Sequence, residues 1–107
     1  MARDHLGEFE HIVLLAVLRL ADDAYGVPIR REITLRTRRE LTVGSLYSTL
    51  DRLESKGLLR SRTGDPTPER GGRSKRYFRV TAAGLRMLRE SRQAINAMWE
   101  GLEPYGA

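Results

Sequence analysis

The apolar residues of the chain follow helical spacing over four stretches and alternate over two. From residue 8 to about residue 21, Phe9, Ile12, Val13, Leu14, Leu15, Ala16, Val17, Leu18 and Leu20 cover nearly the whole circumference of a helix. A helix with that pattern is buried on several sides or shared with a second subunit. A strand over residues 12–17 is the rival assignment. Asp22, Asp23 and Ala24 form a turn, and Tyr25-Gly26-Val27-Pro28 opens a second helix, since a proline in the first turn lacks only an N–H that has no helical partner. That helix runs to about Thr37, with Ile29 and Ile33 inward and Arg30, Arg31 and Arg36 outward.

Residues 42–57 read as a third helix with both ends marked. Thr42 can accept from the free N–H groups of the first turn, and Gly57 supplies the left-handed residue that ends many helices. Leu46, Leu50, Leu53 and Gly57 lie on one line of this helix and form its buried side. Ser45, Ser48, Thr49, Arg52 and Lys56 lie on another, all donors and none acidic, while Asp51, Glu54 and Tyr47 share the opposite flank. Small hydroxyls and cations sorted away from carboxylates suit a major groove, where bulk must be low and phosphates lie on both sides; an ordinary solvated face is the alternative.

Past Gly57 the period becomes that of strands, over residues 58–63 and 75–80, both rich in alternating or branched and aromatic residues. Residues 64–73 between them carry two prolines and three glycines and read as a long hairpin loop. Thr81 then caps a last helix from residue 82 to about residue 102, in which Leu85, Leu88, Ile95, Trp99 and Leu102 take the a and d places of a heptad and Arg92 interrupts. So long a helix at the end of a small domain has little of its own domain to lie against, and is expected to pair with a second copy together with the first helix. The order helix, helix, helix, strand, loop, strand, helix predicts an α+β, mainly α fold: a winged helix-turn-helix over residues 1–80 and a C-terminal dimerisation helix over 81–107, in one compact unit. Residues 1–7 read as a loose arm.

Charge narrows the partner. Nineteen Lys and Arg against 14 Asp and Glu give a formal +5 and a pI near 10.2, which favours a polyanion, nucleic acid or a membrane surface. The asymmetry sits in the hairpin, where Arg60, Arg62, Arg70, Arg73, Lys75, Arg76 and Arg79 face only Asp65 and Glu69. A basic hairpin beside a helix face of hydroxyls and cations favours double-stranded DNA. No cysteine is present, so disulfides, thiolate metal sites and cysteine nucleophiles are excluded. The longest apolar run, residues 12–18, falls far short of the roughly 18 residues needed to cross a bilayer. Asp4, Glu8 and Glu10 before it have the wrong sign for a signal peptide. A cytoplasmic protein with no membrane partner is the expectation.

The sequence resembles the PadR family of bacterial transcriptional regulators over most of its length. The resemblance rests on Gly7-Glu-Phe-Glu10, on Ala24-Tyr-Gly26, on Gly44-Ser-Leu-Tyr47 with residues 49–54 and Gly57, and on residues 70–79 followed by Thr81-Ala-Ala-Gly84. It implies a homodimeric DNA-binding regulator, usually a repressor, of the short branch with one C-terminal dimerisation helix. Carried over by position, it implies that Ser45, Tyr47 and Thr49 face the groove from the start of the third helix, with Thr42 at its beginning. Arg52 and Lys56 would contact phosphates, and Arg70, Arg73, Lys75 and Arg76 would hold the wing, with Gly71 and Gly72 allowing close backbone approach. Ser48 departs from the proline that many members carry and adds a hydroxyl. Tyr47 has a second reading, as a packing tyrosine.

Catalysis finds no support in the residues. His5 and His11 match no metal-ligand spacing, and Asp22 and Asp23 are explained by turn chemistry, so neither a metal nor a cofactor is expected. Phe9, Val13, Leu88, Ile95, Met98, Trp99 and Leu102 are the candidates for a dimer interface or for a cleft that admits a small aromatic effector. A winged-helix protein-interaction module without a specific operator is the alternative function.

Overall fold

Thirteen residues, Glu8–Leu20, form the first helix, α1, and the chain then wraps the other elements around it. The computed structural model describes residues 5–64, 74–102 and 104–105. After a single 3-10 turn at Ala21–Asp23, the remaining elements are α2 (Gly26–Thr37), α3 (Val43–Ser55), β1 (Leu59–Thr63), β2 (Arg76–Val80) and α4 (Ala82–Trp99). The helical reading of α1 therefore prevails over the strand. Its side chains Val13, Leu14, Ala16 and Val17 are buried at the centre of the core, where α2 and α3 contribute Ile29, Ile33, Leu46, Leu50 and Leu53. Enclosure by these neighbours accounts for the apolar residues on the buried sides of α1, while Leu15 and Leu18 of the same run remain exposed.

The local signals at the ends of α3 and α4 act as read. Thr42 Oγ1 accepts from the Ser45 N–H at 3.0 Å and Thr81 Oγ1 from the Gly84 N–H at 3.0 Å, each satisfying a donor of the first turn that has no helical partner. Gly57, with φ of 76°, turns the chain out of α3 into β1. Gly84 is needed for a different reason. A β-carbon there would lie 2.3 Å from the Leu58 carbonyl oxygen, so its absence lets α4 start directly on the backbone that leads into β1.

The strands pair antiparallel with Ser61 opposite Phe78 and Leu59 opposite Val80. Beyond the hairpin, the Phe78 N–H donates to the Ala24 carbonyl at 2.8 Å, which ties the wing to the turn before α2. The wing tip, with Arg70, Gly71, Gly72 and Arg73, lies outside the described residues.

Candidate nucleic-acid interface

The first half of α3 presents a face of low bulk. Thr42, Val43, Gly44, Ser45 and Ser48 are exposed, and a β-carbon added at Gly44 would meet nothing within 4 Å. Small side chains here follow from the helix phase: Leu46 and Leu50 occupy the core line, so Ser45 and Ser48 must point away from it. Thr49, expected on the same outer face, is corrected by the structure. It is only 3% exposed, and its hydroxyl donates to the Ser45 carbonyl at 3.0 Å. One step of 100° in helical phase carries it from the groove side to the rim of the core.

Tyr47 likewise belongs to the packing. It is half-buried against the core, and its ring lies over Gly26 so closely that a β-carbon at Gly26 would come 2.2 Å from the hydroxyl and 2.9 Å from Cζ. This contact accounts for the glycine in Ala24-Tyr-Gly26. The other two residues of that motif also act as joints. Ala24 is fully buried where its carbonyl meets β2, and the Tyr25 ring meets the Tyr77 ring edge-on at 5.3 Å. The sequence places this tripeptide at a turn and a helix start without a packing role, although two small residues flanking an aromatic at a helix start are a signal of close packing.

The second half of α3 is bound by ion pairs on both flanks. On one, Arg52 Nε and Lys56 Nζ donate to the same oxygen of Glu10, at 3.1 and 3.0 Å. The Glu10 side chain is 8% exposed, and its other oxygen accepts the Gly7 N–H at 2.9 Å. Burial pushes the Glu10 carboxyl up, but the Gly7 N–H and the two cations outweigh it and hold it below its ordinary value. Glu10 was not among the expected site residues. Its spacing from Gly7 is that of a capping contact, but its partners lie 42 and 46 residues further along the chain.

On the other flank, Arg76 of β2 donates to Asp51 Oδ1 at 2.9 Å and to Glu54, whose second oxygen accepts from the Ser61 backbone N–H at 3.2 Å and hydroxyl at 2.7 Å. The Ser61 hydrogen bond and the Arg76 charge hold the Glu54 carboxyl below its ordinary value. Arg76, expected to reach DNA from the wing, ties β2 to α3 through these two ion pairs while its side chain stays partly exposed. Lys75 lies with its ammonium 4.6 Å from the centre of the Tyr25 ring. Among the described cations of the hairpin, Arg60, Arg62 and Arg79 are exposed.

A model of the PadR-like family of transcriptional regulators matches residues 14–90. The chain belongs to the PadR family. It is 37% identical over 90 residues to the transcriptional regulator Rv3488 of Mycobacterium tuberculosis, covering 80% of this chain and 78% of that one. It is also 32% identical over 106 residues to an uncharacterised protein of Lysinibacillus sphaericus, covering 91% and 93%. Among solved structures, a PadR family transcription regulator from Clostridium difficile R20291 matches with a TM-score of 0.72 at 23% identity, over 92% of this chain and 99% of that one, which establishes the same winged-helix fold. This PadR-family protein is a transcriptional regulator, not an enzyme.

The residues expected at a dimer interface divide sharply. Val13 and Leu88 are buried in the subunit's own core, at 0% and 4% exposure, and Phe9 packs against that core, so the first two are corrected from interface to core. Ile95, Met98, Trp99 and Leu102 are exposed, at 57%, 76%, 51% and 43%. Leu15 and Leu18 of α1 add exposed apolar surface. Of the expected cleft residues, only Ile95 lines the hollow of about 310 Å³ between α4 and the segment before α1, beside His5, Leu6, Met87, Glu90, Ser91 and Ala94. Leu6 packs partly against the core, so the arm is less loose at its end than expected. No helix among the described residues is long and apolar enough to cross a membrane.

Proposed function

We propose that this protein is a homodimeric repressor that binds an inverted-repeat operator through the exposed start of α3 and is released by a small aromatic ligand. The observation that carries the reading is the low-bulk face of Val43, Gly44, Ser45 and Ser48, set beside the Arg52 and Lys56 cations in a chain of the PadR family. Ser45 and Ser48 contact base edges, which sets sequence preference, while Arg52 and Lys56 contact phosphates, which sets affinity and register. The wing residues Arg70, Gly72, Arg73 and Lys75 follow the backbone alongside. The exposed Ile95, Met98, Trp99 and Leu102 of the C-terminal segment support pairing with a second copy, because a stripe of this kind is costly to leave in water. Two copies then meet half-sites about one or two helical turns apart.

Mobility shift with a genomic fragment in excess salt-matched competitor DNA tests the central claim, and a shift that the competitor abolishes defeats it. Sedimentation of the Met98→Glu variant tests the pairing: a monomer is expected, and an unchanged dimer places the interface elsewhere. Trp99 fluorescence titrated with phenolic and polyaromatic compounds tests the ligand, and indifference across the panel removes it.

A further inference from the structure

We propose that Glu10 is a positioning residue for DNA binding, a buried carboxylate that holds the Arg52 guanidinium and the Lys56 ammonium side by side as one receptor for a backbone phosphate. The inference rests on the DNA-binding reading above and names a device within it.

The argument begins with the two cations. Arg52 lies in the last turn of α3 and Lys56, four residues on, is its C-cap residue, a spacing at which like charges repel. Left to themselves, two long side chains would spread into solvent, and ordering them on a phosphate would cost binding energy. The Glu10 carboxylate removes both difficulties. Its Oε2 takes one donor from each cation, at 3.1 and 3.0 Å, and is itself fixed because Oε1 holds the Gly7 N–H at the start of α1. Arg52 uses Nε on Glu10, with Nη2 3.4 Å from Thr49 Oγ1, and its side chain stays 52% exposed. Among the described residues, donors on its outer edge remain open to a ligand. The anchor is also rigid, since α1 is the central helix of the core.

The device has a signature that a purely structural role lacks. Arg52, Lys56 and Glu10 together carry +1, so Glu10 lowers the positive charge of the DNA face while improving its geometry. Removing the carboxylate charge should therefore strengthen loose, sequence-independent association and weaken the fitted complex.

The test uses the full chain and duplexes that the wild-type protein retains from a random-sequence pool, compared with unselected duplex of the same length across a salt series. For Glu10→Gln, which keeps an acceptor for Gly7, affinity for the retained duplex is expected to fall about tenfold while affinity for unselected duplex holds or rises. Equal losses on both duplexes, or no loss on the retained one, overturn the inference. Should Glu10→Gln fail to fold, Glu10→Asp and Lys56→Gln carry the test, with the double variant losing no more than the worse single one. Additive losses overturn it. A wild-type chain that retains no sequence overturns the DNA-binding reading itself, a result distinct from a failure of the variants to discriminate.

Discussion

Helices α3 and α4 begin alike and end differently. Each is capped by a threonine whose hydroxyl accepts the N–H three residues on, and each carries an apolar line at helical spacing. In α3 that line, Leu46, Leu50 and Leu53, is buried throughout. In α4 it is buried at Leu88, but residues 92–100 are all exposed, Ile95 and Trp99 among them. The same sequence pattern thus serves a core in one case and an uncovered surface in the other. Amphipathic spacing says that a helix has an apolar side; what lies against it depends on where the rest of the chain ends up.

The sharpest way to break this contrast is to truncate both lines. Leu50→Ala should cost about 2–5 kcal/mol in denaturant unfolding, because it opens a cavity in a packed core. Ile95→Ala, measured at a concentration where the chain is a single subunit, should stay within about 0.5 kcal/mol of the wild type. If the two losses match there, the exposed end of α4 is folded against its own subunit. Next in size is Gly84→Ala, expected to lose about 1–3 kcal/mol, since the added methyl meets a backbone oxygen that cannot swing aside.

A glycine in α3 supplies the opposite case. Gly44→Ala has open space and should raise the melting temperature, gaining about 0.5–1 kcal/mol from helix propensity. In the proposed role it should also weaken operator binding, by adding bulk to the groove face; unchanged affinity in a mobility shift would take Gly44 out of that face. The smallest expected effect is the dependence on acid. Glu10 and Glu54 titrate below their ordinary value of 4.5 when folded, so the unfolded chain binds protons first as pH falls. Their contribution is fully present above the unfolded value and is lost as pH drops through the folded ones. Acid titration of Glu10→Gln should accordingly show a shallower decline below about pH 4.5 than the wild type. Parallel acid limbs would show that Glu10 is not held by Gly7, Arg52 and Lys56.

Much of the fold could be read from local features because local physics produces them. Thr42, Thr81 and Gly57 act within a few residues, so their caps and turn needed no tertiary information. Helix boundaries lie close to those expected, the largest difference being at the end of the last helix, at Trp99 rather than about residue 102. The candidate site was less legible. Helical phase sets Thr49 on the outer line with Ser45 and Ser48, because steps of 100° do not resolve a residue at the edge of a buried line; it sets Tyr47 on the flank of Asp51 and Glu54, away from the groove face that the family resemblance implies. Arg76 read as a free wing cation because its carboxylate partners lie 25 and 22 residues away.

The sequence by itself determined the order of elements, their caps and the basic character of the hairpin, since periodicity, capping and charge are properties of neighbours along the chain. Only the tertiary structure decided which cations are free. Three elements distant in sequence, α1, α3 and β2, meet along the second half of α3, and there Glu10 captures Arg52 and Lys56 while Asp51 and Glu54 capture Arg76. An ion pair depends on a distance of a few ångströms between side chains, and spacing along the chain does not encode that distance across separate elements.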